Sequence, residues 1–207
     1  MEKEISDAFN KQWHESPKGT WHVMHWMGIK VLKTPTDMWV YQELITRIRP
    51  KWIIETGTCY GGSALFLANV CDGLENGQVI SIDVNKPKRD VKHPRITFYR
   101  GDSVAPETIE YVRRRVTQGP VLVILDSCHK KKHVLKELAL YGPMVSPGSY
   151  MIVEDTCTGR TVQKEHGPGP GDAVDEWLPT QNRFVVDLTC QKYHLTFMPG
   201  GYLKCVR

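Results

Sequence analysis

The chain has no CxxC pair, no histidines at zinc-ligand spacing beside its six cysteines, and no apolar stretch near the length of about twenty residues that a membrane helix needs. Cys59, Cys71, Cys128, Cys157, Cys190 and Cys205 are scattered. That spacing excludes a zinc module and a disulfide scaffold and predicts a reduced, cytoplasmic setting with no membrane span. The first residues, "MEKEISDAF", are charged and carry no apolar core, so they do not read as a secretory signal. Internal repeats and low-complexity tracts are also missing; only "HGPGPGD", 166–172, is rich in Gly and Pro. Charge of one sign is scarce as well. A net +4 with 41% hydrophobic residues fits neither disorder nor a dedicated polyanion binder, so no nucleic-acid partner is expected. The most basic run, Arg113–Arg115, falls late in an expected helix, where cations suit the helix dipole.

What is present is an alternation. From residue 51 onward, short apolar runs take turns with amphipathic segments, the pattern of helices packed on both faces of a mostly parallel sheet. "KWIIE", "VISID", "ITFYR", "VLVIL" and "SYMIVED" read as five successive strands. "FVVDL", "HLTFM" and "GYLKCV" read as further strands forming an antiparallel C-terminal edge. The fold class expected is therefore α/β and Rossmann-like, with residues 36–207 as the ligand-binding domain and residues 1–35 as an arm. Within "TPTDMWVYQELITRI", Thr36 is the expected helix cap. The aromatic piece "TWHVMHWMG" has no period; Trp21, His22, His25 and Trp26 either wall a pocket or bury against the domain.

In such sheets ligands bind at the carboxyl ends of the strands, near the point where strand order reverses. The first strand ends in "ETGTCYGGS". Gly57 permits a tight turn, while Gly61 opens a helix whose free N–H groups favour an anion near Ser63. The G-x-x-x-G spacing is not the G-x-G-x-x-G of dinucleotide binders, which argues against NAD or FAD. Taken alone, the turn is an ordinary strand-to-helix connection. Asp83 closes the second strand, where it suits the hydroxyls of a ribose, and Asp102 and Ser103 close the third, where a base would lie. Acids at three successive strand ends suit a positively charged nucleoside such as S-adenosylmethionine, with Glu55 meeting its amine and Asp126 at the edge of the same site. Asp126, Glu154 and Asp155 then converge at the tips of the fourth and fifth strands. They either hold a hard divalent cation, magnesium before calcium or manganese, or cap helices and pair with Lys130, Lys131 or Lys132. His129 stands where a general base with a pKa near neutrality would serve, whereas His133 supports it or faces solvent.

The runs "IIETGTCYGGSALFLANV", "ISIDV", "VILDSCHKKKHVLKEL", "GSYMIVEDT", "GPGPGDAVDEWL" and "LTFMPGGYLK" resemble the cephalosporin hydroxylase family, which includes rhamnosyl and macrolide-sugar O-methyltransferases. The likeness runs from about Trp26 to Arg207. It implies a magnesium-dependent S-adenosylmethionine methyltransferase with metal ligation by Asp126, Glu154 and Asp155 and with His129 as the base. Enzymes of catechol type, similar in design, carry a lysine at the base position, so the histidine favours the sugar-modifying branch. The N-terminal oligomerisation domain of the macrolide-sugar members is expected to be missing, although a homo-oligomer is still expected. The resemblance implies direct transfer of a methyl group to a hydroxyl of a sugar, glycolipid or other small natural product. The rival readings are an oxygenase, whose facial triad needs two histidines and one carboxylate, and a non-catalytic cofactor-binding subunit serving a partner. "GPGPG" reads either as a lid or as a plain connector.

Overall fold

In a computed structural model, residues 2–16 and 19–207 of the chain are described. The elements are, in order, α1 (Glu2–Glu15), β1 (His25–Trp26), β2 (Ile29–Lys30), α2 (Pro35–Ile48), β3 (Trp52–Thr56), α3 (Gly62–Gly73), β4 (Gln78–Asp83), β5 (Ile96–Arg100), α4 (Pro106–Arg115), β6 (Val121–Leu125), α5 (Lys131–Tyr141), β7 (Tyr150–Val153), α6 (Pro170–Trp177), β8 (Phe184–Val186) and β9 (Tyr202–Cys205). Seven strands form one sheet in the order β5-β4-β3-β6-β7-β9-β8. The five strands β3 to β7 are parallel to one another, and β9 runs antiparallel to both β7 and β8. The chain moves outward from β3 through β4 to β5, then returns to place β6 on the other side of β3. That reversal opens the crevice where a ligand can sit.

Helices on both faces explain why the central strands are apolar throughout rather than alternating. All five residues of β6 are buried. Leu122 and Ile124 pack with Tyr41, Ile45 and Leu67 of α2 and α3, while Val123 and Leu125 pack with Ile109, Leu138 and Val174 of α4, α5 and α6. Pro106 starts α4 at a position where its missing N–H costs nothing, and the arginines of the last turn are exposed.

Two local expectations change, and one open alternative narrows. Helix α2 is capped by Thr34, whose hydroxyl accepts the Asp37 N–H; Pro35 occupies the first turn, and Thr36 donates to the Leu195 carbonyl instead. "HLTFM" is not a strand. Its backbone is held by a side chain: the Phe197 N–H (2.9 Å) and the Thr196 hydroxyl (2.6 Å) both donate to the buried carboxylate of Asp37, which also accepts from Tyr202. The antiparallel edge therefore consists of β8 and β9 alone. For "GPGPG", left open between lid and connector, the packing favours the connector. A Cβ on Gly169 would lie 2.3 Å from the Thr158 carbonyl and one on Gly171 2.5 Å from that of Thr156, so the run packs backbone to backbone against the segment after β7.

Among the described residues, no helix is long and apolar enough to cross a membrane. In the N-terminal part, Trp26 meets Phe66 edge-on and donates to Asn69, which packs it, half-buried, against the core.

Candidate active site

The site begins where β3 ends. Gly57 has φ +90°, and a Cβ there would lie 1.9 Å from the Asp126 carbonyl, so only glycine lets the turn pass the end of β6. Asp126 N–H in turn donates to the Thr56 carbonyl at 3.0 Å. Gly61 adopts φ +81° and caps α3 without a side chain, leaving N–H groups of the first turn open. On Gly62 a Cβ would stand 2.2 Å from the Lys30 carbonyl, because the N-terminal hairpin β1–β2 lies over this helix start.

A cavity of about 370 Å³ opens at this point, lined by Gly57, Gly62 and Ser63 on one side and by Asp126, His129, Glu154 and Asp155 on the other. A second, of about 140 Å³, lies beside it and holds Asp83, Asp102, Ser103 and His133; Gly57 and Ser127 line both. Asp83 is fixed by the turn itself, accepting the N–H groups of Thr58 and Cys59 at 2.9 and 3.1 Å. Ser103 is hydrogen-bonded to His133 at 2.9 Å, so His133, open at the sequence level, faces the second cavity. Gly61 lines neither. Glu55 does not reach the first cavity, contrary to its expected contact with an amine: it is fully covered, and its carboxylate accepts from the hydroxyls of Ser63 and Ser81 beneath the turn.

The strand-tip acids do not all face the same way. Ligand atoms of Asp126, His129 and Asp155 lie within 4.8 Å of one another. His129 Nε2 is 2.8 Å from Asp155 Oδ2 and 3.5 Å from Asp126 Oδ1. Asp155 itself has φ +55°, a backbone state tolerated by Asp and typical of functional turns. Glu154 points inward, where its Oε1 accepts from both Lys33 Nζ and the Tyr41 hydroxyl. Lys33, 3% exposed at its side chain, also donates to Asp126 Oδ2 at 2.8 Å. The acids thus find their cation in Lys33. Lys131 pairs with Glu176, and Lys130 reaches the His166 carbonyl.

These contacts set the charge states. Burial alone would raise Asp126, but Lys33 and His129 hold it well below the usual carboxylate range. Burial pushes Glu154 up against the pull of Lys33. Burial would discharge Lys33, yet Asp126 and Glu154 keep it charged. The expectation of a His129 pKa near neutrality is not met. The charge of Asp155, opposed by burial and reinforced by Asp126, pushes it up to about 11, so the imidazole is protonated while it faces two bare carboxylates.

Opposite the acids stand Trp13, His14, Trp21 and Phe197, with His14 stacked 5.0 Å from Trp21 and 5.6 Å from Phe197. Of the four arm residues named from the sequence, only Trp21 lines the cavity; the His22 ring lies tilted against it, and His25 is exposed. Lys33, Tyr41, Trp13, His14 and Phe197 were not legible as site residues. Lys33 lies 93 positions before Asp126 and 121 before Glu154, and its only local mark is a lysine set between "VL" and a helix cap.

The family Rhamnosyl O-methyltransferase/CmcI matches residues 18–206. The chain belongs to this family. A rhamnosyl O-methyltransferase of Mycobacterium leprae (strain TN) is 35% identical over 96% of this chain and 91% of its own length. One from Mycobacterium bovis (strain BCG / Pasteur 1173P2) is 32% identical over 96% and 85%. Among solved structures, a CmcI structure described as its Mg–SAM form is similar with TM-score 0.72 and 21% identity, covering 95% of this chain and 84% of that one. MycE, a methyltransferase from the mycinamycin biosynthetic pathway in complex with Mg and SAH, gives TM-score 0.52 and 20% identity, covering 84% and 44%. These last two likenesses show the shared fold.

Proposed function

We propose that the protein is an S-adenosylmethionine-dependent O-methyltransferase that uses a divalent cation, magnesium foremost, to methylate a hydroxyl of a sugar or a sugar-bearing small molecule. The observation that carries the reading is the gathering of Asp126, His129 and Asp155 beside the glycine turn, in a family whose curated relatives are named rhamnosyl O-methyltransferases. The donor set fits a hard cation: two carboxylates converge with a third, Glu154, adjacent, and among the described residues this grouping contains a single histidine rather than the two of an iron facial triad.

The division of labour follows from the chain's own groups. Gly57 and Gly62 bring backbone close to the cofactor, and the open N–H groups of α3 with the Ser63 hydroxyl suit its carboxylate. Asp83 retains acceptor capacity for ribose hydroxyls, while Asp102, Ser103 and His133 bound the space for the base. Glu55 acts from below, holding Ser63 in place. Asp126 and Asp155, with Glu154 as the further ligand, would hold the ion. When bound, cofactor and ion supply a methyl group on cationic sulfur and a lowered pKa for the acceptor hydroxyl. His129 keeps its proton as long as two carboxylates lend it their charge; once these are committed to a cation, its Nε2 can accept the hydroxyl proton. Trp13, Trp21 and Phe197 offer the flat apolar surface on which sugar rings pack.

The deciding experiment incubates the purified protein with methyl-labelled S-adenosylmethionine and rhamnosyl glycosides, with magnesium or with chelator. Label in the glycoside, lost in chelator, is the expected result. Transfer unaffected by chelator overturns the metal reading, and no transfer to any sugar overturns the acceptor class.

A further inference from the structure

Among the described residues, Lys33 is the buried lysine of the acidic rim, and it comes from outside the strands that carry the acids. It sits between the hairpin strand β2 and the cap of α2, is 3% exposed at its side chain, and places Nζ between Asp126 Oδ2 and Glu154 Oε1. An aliphatic stem threaded into the core with its ammonium on two carboxylates is not a surface pair; removing one partner would leave buried charge uncompensated. The contact also divides the two oxygens of Asp126. Oδ2 is spent on Lys33, and Oδ1 is turned toward His129, which bridges to Asp155. Two cation positions therefore share Asp126, an inner one filled by the ammonium and an outer one bounded by Asp126, His129 and Asp155.

We propose that Lys33 is a positioning residue that serves as the resident cation of the metal site: it holds Asp126 and Glu154 together before any ion arrives, and it lowers the site's affinity for divalent ions. The inference rests on the metal reading above. Replacing the ammonium by a neutral group makes the rim one unit more negative whatever proton His129 carries, and a divalent ion within several ångströms then feels one unit of repulsion less. At an effective dielectric constant of about 20 to 40, that difference predicts at least about tenfold tighter binding.

The test uses the full chain as wild type, Lys33→Met, which keeps the stem and removes the charge, and Lys33→Met/Glu154→Gln, which removes the ammonium together with the more deeply buried of its two carboxylate partners. Mn²⁺ is the probe, its free aqua ion counted by electron paramagnetic resonance, and thermal unfolding is followed in chelator and in saturating Mn²⁺. Expected for Lys33→Met are a melting temperature below wild type in chelator, a gap that narrows in Mn²⁺, and affinity for Mn²⁺ raised about tenfold or more. The double variant should recover thermal stability in chelator. If Lys33→Met does not fold, the double variant decides: folded, it supports the charge role, and unfolded, it shows that removing the uncompensated Glu154 charge does not restore the fold and overturns the proposal. Wild-type affinity and stability in Lys33→Met likewise overturn it. Wild-type protein that takes up no Mn²⁺ at all fails the metal reading itself, a separate outcome visible in the same titration.

Discussion

His129 carries the largest gap between what its neighbourhood suggests and what its surroundings do to it. Two carboxylates raise its pKa from the ordinary 6.5 to about 11. A raised histidine stabilises the metal-free fold fully below about pH 6.5 and loses that contribution as pH climbs through the folded value near 11. A cation taken up by Asp126 and Asp155 removes the reason for the proton to stay. Metal binding is therefore expected to release protons and to strengthen as pH rises from 6 to 9, measurable by calorimetry in buffers of different ionisation enthalpy. Binding with no proton exchange and no pH dependence contradicts this account. His129→Ala is expected to lower turnover on the order of a hundredfold while leaving affinity for S-adenosylmethionine unchanged, since the imidazole lines the acid side of the cavity rather than the glycine turn. Steady-state kinetics beside direct binding separates the two. The carboxylate positions at 126, 154 and 155 were readable because a polar tip on an apolar strand stands out. Lys33 was not, because its meaning depends on partners a hundred or so positions away that only the folded chain brings near.

Strand and helix identities follow the same logic one level up. "VLVIL" coincides with β6, because a strand covered on both faces leaves an unbroken apolar run, whereas "ITFYR" coincides with β5, a half-buried edge strand marked by its β-branched and aromatic residues. "HLTFM" has a comparable composition and fails as a strand, since Asp37 satisfies the N–H of Phe197 from outside any ladder. Composition alone does not distinguish those cases. The cap of α2 was misplaced by two residues for a local reason: in "TPT", the proline keeps the residue before it extended, which is the backbone state a cap requires. Thr34→Ala is accordingly expected to cost about 1 kcal/mol in denaturant unfolding, and Thr36→Ala less. The turn after β3 is far less forgiving. Gly57→Ala drives a methyl group into the Asp126 carbonyl at a left-handed φ, and should cost on the order of 3 kcal/mol and abolish cofactor binding, read by thermal unfolding and calorimetry together. A variant of unchanged melting temperature would show that the turn can shift without loss.

At the scale of the whole molecule, the two cavities meet at Gly57 and Ser127, so occupants of one bear on the other. Saturation with S-adenosylmethionine at a hundredfold over Kd should add roughly 2.7 kcal/mol of stability, with a further increase when magnesium is present and none from NAD. A larger effect of NAD would point to a different nucleotide. The topology has an outcome for synthesis as well. Strand β9, the last in the chain, is wedged between β7 and β8 rather than laid along the rim. Until residues 202–205 have emerged from the ribosome, β7 shows a bare row of backbone groups and β8 has nothing to join. Pausing translation just upstream of Tyr202 would hold the nascent chain in its most adhesive form, and release of those few residues is what closes it.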